Sequence, residues 1–535
     1  MALAAETYRE FEDIVGRENI SDDPAIVEGY HNFTTGQVLG LGTVIKPVAV
    51  ILPGCTEEIQ AIMRTCNRHK IKYNVYCTNF GAPPVWGGIT TKNMIQLDLR
   101  RMNRILEIDD KNMYAVVEPY VLAGQLNGEL HKIGLTAHCT GPGPTISVLA
   151  TSAAMFGIGF DSIFMGWSGR NVLGVEWVMP TGEVVRLGAT GSGLGWFYPD
   201  SPGTSLWGMV RGATGTMSGL GVFTKCAVKL YPWAGQGEAS GGVSPHIKVQ
   251  KHPERLRCFL LTWPSMDKMA EALYMINKAQ IGYALDKNPG MAAVFAVTDS
   301  NDEAWALIRS GMLDVMLAPP NVTVSFTLGA FSLKEMEYQH KVLNDIVSRT
   351  DGFFSNEYLA QFIPKVQDIL YFHHAWNCGT TQGTFKPAGT FYVGVSFIDT
   401  TDVCDDGSLL FGEIKKEFED KGVLLQEGGE SNWAGYYEGG TLAGLHTETI
   451  WQGDPADLDS MLAANDLFFK GIKPWIDRGL TPFWGQKSGQ AGFFGSMFGG
   501  PAGTSTEYRA RIKKTFDPKN IGNPMSYVIV PEEEE

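Results

Sequence analysis

The chain has 535 residues, 44% of them hydrophobic and 19% charged, which leaves room for two or three domains with sizeable cores. A formal net charge of −15 argues against nucleic acid or an anionic membrane as partner, and suits a basic protein partner. The eight cysteines (Cys55, Cys66, Cys77, Cys139, Cys226, Cys258, Cys378 and Cys404) are scattered with no C-x-x-C. That excludes a Cys-ligated Fe–S cluster or zinc ribbon within the chain and predicts reduced thiols in a cytoplasmic protein.

In chain order, residues 1–30 read as amphipathic helices (TYREFEDIVG, PAIVEGYHNF). Acidic residues stand where a secretory leader would be basic and then apolar. VIKPVAVILPG (44–54) reads as a strand closed by Pro-Gly. TEEIQAIMRTCNRHKI (56–71) reads as a helix with Thr56 as N-cap and Ile59, Ile62, Met63 and Cys66 along one face. KYNVYC is a second strand, followed by the loop TNFGAPPVWGGITTKN (78–93). MIQLDL (94–99) and YAVVEPYV (114–121) read as strands around RRMNRILEIDDKN, and LAGQLNGELHKIG (122–134) as a helix stopping at Gly134.

NVLGVEWVMPTGEVVRLG (171–188) is a hairpin signal around Pro180-Thr181-Gly182, and GTMSGLGVFTKCAVKLYP (215–232) leads from glycines into a strand. The composition shifts to glycine and serine at GQGEASGGVSP (235–245), an expected domain boundary. Beyond it, SMDKMAEALYMINKAQ and SLKEMEYQHKVLNDIVSR read as helices, GTFYVGVSFID (389–399) as a half-buried strand, and STEYRARIKKTFDPKNIGNP (505–524) as a helix stopped by Asp-Pro. No uninterrupted apolar run reaches membrane-spanning length. The expected class is α+β.

One run stands apart: GPGPTISVLATSAAMFGIG (141–159) crowds glycine, serine, threonine and alanine, yet fails G-x-G-x-x-G. With three other segments in order, it carries a resemblance. These are QLDLRRMNRILEIDDKNMYAVVEPYV (96–121) after a glycine loop, RNVLGVEWVMPTGEVVRLG (170–188), and the pair GLGVFTKCAVKLYP (219–232) and FDPKNIGNP (516–524). The order resembles the vanillyl-alcohol oxidase / p-cresol methylhydroxylase superfamily of FAD-linked oxidoreductases, whose FAD-binding domain is shared with glycolate and D-lactate dehydrogenases. The resemblance implies a two-subdomain FAD-binding domain of the p-cresol methylhydroxylase type (1–235), an α+β substrate cap with an antiparallel sheet (236–475), and a C-terminal segment (476–535) returning to the first domain. It also implies a homodimer or dimer-based oligomer.

A pyrophosphate needs several backbone N–H donors aimed at it, and bulky side chains would block that approach. By position, the resemblance implies FAD contacts at Thr78, Asn79, Phe80, Gly81, Pro144, Thr145, Ser147, Val148, Thr151, Ser152, Gly157 and Gly159, and a backbone contact at Gly221 and Val222. The first loop, CTNFGAPPVWGG, departs from the family in its fewer glycines and its Pro83-Pro84-Val85-Trp86 insertion. A tight helix-packing segment is the competing reading of 141–159.

For chemistry, His446 in GGTLAGLHTETIW (439–451) matches the strand whose histidine, in the vanillyl-alcohol oxidase branch, bonds covalently to the flavin. Tyr436 and Tyr437 are second choices, since the methylhydroxylase branch uses tyrosine. His373 and His374 in YFHHAWNC (371–378) are candidates for base or substrate ligand, against a reading of one packed and one surface histidine. Glu-His-Gly, the metal motif of the hydroxy-acid branch, is absent, so no metal site is expected. The Tyr-Arg pair of the phenol branch is also absent from LTPFWGQKSGQ (480–490). Lys487 is the available cation there, and Phe483, Trp484, Phe493, Phe494 and Phe498 are either an aromatic pocket or core. Asp161 lies six residues before the position of that branch's flavin-facing aspartate. The reading is an FAD-dependent oxidase or dehydrogenase passing hydride from an aromatic or alkyl-aromatic alcohol to flavin N5, with electrons leaving to oxygen or a protein acceptor. The alternatives are a 2-hydroxy-acid dehydrogenase subunit and a non-catalytic scaffold of the same fold.

Overall fold

The computed structural model describes residues 3–30, 46–78, 91–140, 143–154, 157–188, 206, 209–210, 216, 219–240, 246–287, 297–311, 322–376, 392–424, 432–438, 444–451, 457–477, 505–524, 527–528 and 530. The first sheet takes β1 (Ile20–Ser21), β2 (Val50–Ile51), β3 (Lys72–Tyr76) and β4 (Met94–Asp98) in the order β1-β2-β4-β3. β2 and β3 run parallel to β4, and β1 is antiparallel at the edge. Every residue of β4 is buried, as expected of a central parallel strand covered on both faces.

The helix Thr56–His69 packs Ile59, Ile62, Met63 and Cys66 into that core, along the face its periodicity predicts. Its N-cap position is held by Cys55, which corrects the expectation for Thr56. The Thr56 hydroxyl instead donates to Glu176 Oε1 at 2.8 Å. Burial alone would raise the Glu176 carboxyl, but bonds from Lys225, Thr56 and Arg186 outweigh it and hold it near about 2. A tertiary demand for a donor thus overrides a local capping preference.

Next come β5 (Ile105–Asp109), β6 (Tyr114–Val117), β7 (Leu135–Thr136), β8 (Val172–Val178), β9 (Val184–Leu187), β10 (Val222–Lys229) and β11 (Tyr231–Pro232). Five of them form an antiparallel sheet ordered β5-β6-β10-β8-β9, while β7 pairs with β11. β5 lies within RRMNRILEIDDKN, where sequence shows no strand: its residues are half-buried or exposed, so its pattern is weak. The β8–β9 turn rests on Gly182 at φ 84°, open to glycine at low cost.

The later part holds β12 (Glu238–Ser240), β13 (Lys248–Lys251), β14 (Leu256–Trp263), β15 (Ala284–Asp286), β16 (Val322–Gly329), β17 (Phe353–Phe354), β18 (Tyr392–Asp399), β19 (Asn432–Glu438) and β20 (Gly444–Trp451). They build a hairpin β12-β13 and two antiparallel sheets, β15-β16-β14-β17 and β18-β20-β19. Helices Met266–Ala279 and Leu333–Arg349 cover the first of these. Each starts at a serine whose hydroxyl accepts a backbone N–H, Ser265 from Lys268 and Ser332 from Glu335.

The short helix Ser162–Met165 packs against β15 and β19, so the segment that follows Gly159 meets both later sheets directly. The helix Ser505–Phe516 leads back to the first sheet, where Gly522 bridges Tyr73 of β3. Lys513 Nζ donates to the Gly219 carbonyl at 2.8 Å, and Asp517 accepts from the Ile521 and Gly522 N–H groups. Among the described residues no helix is long and apolar enough to cross a membrane.

Candidate functional site

The segment 143–159 is built by contacts with two neighbouring loops. The Ser147 N–H donates to Thr78 Oγ1 at 3.1 Å, with Thr78 in left-handed backbone at φ 50°. The Ser147 hydroxyl donates to the Pro119 carbonyl and accepts from the Ala150 N–H. The Val148 N–H donates to the Val121 carbonyl at 3.0 Å, and the Pro144 carbonyl accepts from Gly124 at 2.8 Å. Ala150–Ala154 then forms a π-helical turn, in which Thr151 Oγ1 returns a bond to the Ser147 carbonyl. Such turns recur at functional sites.

The structure therefore brings together Thr78, Pro144, Thr145, Ser147, Val148, Thr151 and Ser152. Thr145 is exposed, while Ser147 and Ser152 are buried. Asn79, Phe80 and Gly81 lie outside the described residues.

Gly157 and Gly159 are kept small by the packing of the chain around them. A Cβ on Gly159 would lie 1.8 Å from the Cys139 carbonyl oxygen, and one on Gly157 would lie 2.2 Å from Thr140 Cγ2. Their space goes to the chain itself. Gly221, at φ 104°, would place a Cβ 2.2 Å from the Val178 carbonyl, and Val222 begins β10 opposite Val178.

Phe160, after Gly159, joins this segment to β15 and the helix Val366–Ala375. Its carbonyl accepts from Leu285 N–H at 2.8 Å, and its ring lies 4.2 Å from that of His373. His373 and His374 close the helix Val366–Ala375, and both are buried, at 3% and 1% exposure. This corrects the reading of one surface histidine. The helix is covered by β14 on one side and Phe160 on the other, which leaves neither ring at the surface.

His373 Nε2 lies 3.0 Å from Asp286 Oδ2, and His374 Nδ1 lies 2.6 Å from Thr327 Oγ1. Burial, and secondarily His373, push the His374 imidazole well below its ordinary range, so it stays neutral. Asp286, 87 residues before His373, and Thr327 gave no signal in sequence. Only the antiparallel pairing of β15 and β16 sets them beside the histidines.

Asp161 is also buried, but its oxygens hold His138 Nδ1 at 2.5 Å and the Cys139 N–H at 3.0 Å. His138, unremarked in sequence, thus fixes the segment against which Gly159 packs. The backbone of His446 lies in β20 opposite Ile398 and Tyr436, with Tyr437 opposite Leu445. Their side chains, and residues 480–500 with Phe483, Trp484, Lys487, Phe493, Phe494 and Phe498, lie outside the described residues.

Residues 47–188 match the FAD-binding domain family. Over 232 residues the chain is 30% identical to an uncharacterised FAD-linked oxidoreductase of Mycobacterium tuberculosis, covering 43% of this chain and 46% of that protein. It is 29% identical over 187 residues to the D-lactate dehydrogenase of Anaerostipes hadrus, covering 35% and 37% respectively. The matches thus span under half the length of these curated relatives. In three dimensions, p-cresol methylhydroxylase with substrate bound superposes with a TM-score of 0.73 at 15% identity, over 99% of this chain and 98% of that one.

Residues 47–188 therefore form an FAD-binding domain by their family match, and the overall fold is that of p-cresol methylhydroxylase. The residues present fit the cofactor. Among the described residues, the buried hydroxyls of Ser168, beside Gly157, and of Thr216, before β10, have no hydrogen-bond partner, and polar groups left so are normally met by a ligand or water.

Proposed function

We propose that the protein is an FAD-dependent oxidoreductase that dehydrogenates or hydroxylates an aromatic or alkyl-aromatic alcohol or phenol. What supports this reading most is the conjunction of the FAD-domain match at 47–188 with a likeness to p-cresol methylhydroxylase over 99% of the chain. In this reading Thr78, Pro144, Thr145, Ser147, Val148, Thr151, Ser152, Gly157, Gly159, Gly221 and Val222 border the cofactor. When bound, FAD supplies a hydride acceptor. The chain orients the substrate under the cap, keeps water out, and takes up the substrate's proton at a histidine or tyrosine beside the ring.

His446 is the proposed point of covalent attachment, with Tyr437 as second choice. Colour retained by acid-precipitated protein, and lost in His446→Ala, is the expected outcome. The enzyme is proposed to work in the cytoplasm as a homodimer or dimer-based oligomer. Its charge of −15 suits a basic electron-acceptor protein.

A 2-hydroxy acid is the second substrate class, favoured by the likeness to D-lactate dehydrogenase. Phenolic, benzylic and 2-hydroxy-acid compounds mixed anaerobically with the holoprotein decide between them. Bleaching of the flavin bands by phenolic or benzylic alcohols is expected. Bleaching by 2-hydroxy acids alone transfers the assignment to the second class, and protein isolated without flavin absorbance defeats both.

A further inference from the structure

We propose that Asp286, His373 and His374 form a binding site for a divalent first-row transition ion, with zinc the first candidate. One donor atom from each residue lies within 4.8 Å of the other two, and all three side chains are buried. Two imidazoles and one carboxylate are a donor set used by catalytic zinc and by non-haem iron, each leaving a coordination position open.

The individual donors are prepared for this. Among the described residues, His374 Nε2 is buried without a hydrogen-bond partner, while Nδ1 is tied to Thr327 Oγ1 at 2.6 Å. In the tautomer whose Nδ1–H donates to Thr327 Oγ1, the Nε2 lone pair is available to a metal, the outer-shell arrangement of metal-ligating histidines. His373 Nε2 and Asp286 Oδ2 stand 3.0 Å apart, close to the separation of two donors on one ion.

Both histidines lie in the last turn of the helix Val366–Ala375, where the helix dipole favours a cation. A metal with bonds of about 2.1 Å sets its donors roughly 3.4 Å apart. The three groups must therefore draw together by up to about 1.4 Å on binding, which side-chain rotations supply.

The site goes beyond the flavin reading and holds for either substrate class. One carboxylate against a divalent ion leaves a net positive centre, so the open position takes an anionic oxygen: hydroxide, carboxylate, alkoxide or phenolate. Its place is also informative. Phe160, one residue past Gly159 at the end of the proposed cradle, lies against His373. A substrate oxygen held on the ion would thus sit at the seam between cradle and cap.

The test uses untagged full-length holoprotein, stripped with a chelator, exposed to Zn2+ and dialysed, with metal counted by elemental analysis. About one zinc per chain is expected. Co2+ in place of zinc should give visible ligand-field bands that His374→Ala abolishes. Thr327→Val keeps all three donors and should weaken zinc binding about 10–100-fold.

A wild-type chain that retains no ion overturns the proposal, whatever the variants do. So does His374→Ala that melts like wild type and holds zinc equally well. Should His374→Ala fail to fold, unchanged zinc affinity in Thr327→Val overturns it instead. Flavin bleaching is read separately, so zinc retained by a protein that bleaches with no substrate would refute the substrate reading and leave the site standing.

Discussion

Adding one methyl group at Gly159 should unseat the whole junction between residues 157–161 and the segment at Cys139. The Cβ would lie 1.8 Å from the Cys139 carbonyl oxygen, and real Cβ atoms stay beyond 3.0 Å. The two backbones must therefore part by more than about 1.2 Å, against a neighbour that is backbone and cannot rotate away. That movement pulls on the Asp161 bonds to His138 Nδ1 and the Cys139 N–H, and on the Phe160–Leu285 bond that ties cradle to cap.

We expect a cost at or above the top of the overpacking range, about 3 kcal/mol. For a domain of this size that is a fall of roughly 6–12 °C in melting temperature. Calorimetry resolves the domain transitions, which matters because a multidomain chain need not unfold in two states. Flavin content of the purified variant should fall in parallel. Gly128→Ala is the control: nothing lies within 4 Å of its Cβ position, in the interior of the helix Ala123–His131. It should gain about 0.5–1 kcal/mol. Gly159→Ala melting within about 2 °C of wild type would refute the packing argument.

Ser147→Ala should cost about 1–3 kcal/mol, because the buried Pro119 carbonyl loses a donor and the Ala150 N–H its acceptor; denaturant titration with flavin release reads it. Lys513→Met removes a cation at 0% side-chain exposure and strands Asp517, for a loss of about 3–5 kcal/mol, with Asp517→Asn added to it restoring part of the melting temperature. His131 stacks on Trp233 at 3.9 Å and is pulled down to about 4 by burial. An unfolded histidine, near 6.5, takes up a proton that the folded one refuses. Stability present above about pH 6.5 is then lost as pH falls towards 4, by up to about 3 kcal/mol, and His131→Phe should flatten that slope in pH-dependent melting.

Much of the fold was legible because local rules and tertiary structure agreed. The period of Ile59, Ile62, Met63 and Cys66 marks a helix face wherever that helix packs. Ser265 and Ser332 cap their helices by their own hydroxyls, and Gly182 turns its hairpin by its own φ. Where the two disagreed, the distant partner won. Thr56 serves Glu176, 120 residues away, and β5 is a strand because β6 pairs with it, despite its exposed residues.

By itself the sequence determined that this is an α+β chain bearing an FAD-binding domain, since four ordered segments carry that pattern along the backbone. It also singled out His373 and His374, though not their burial. Only the tertiary structure decided what those residues face. Asp286 and Thr327 reach them through the β15–β16 register, and Asp161 turns to His138. The glycines at 157 and 159, read in sequence as room for a ligand, also make room for the chain at 139–140. Residue type sets what a side chain can do, while its partner is set by a fold that joins positions tens of residues apart, which local pattern does not encode.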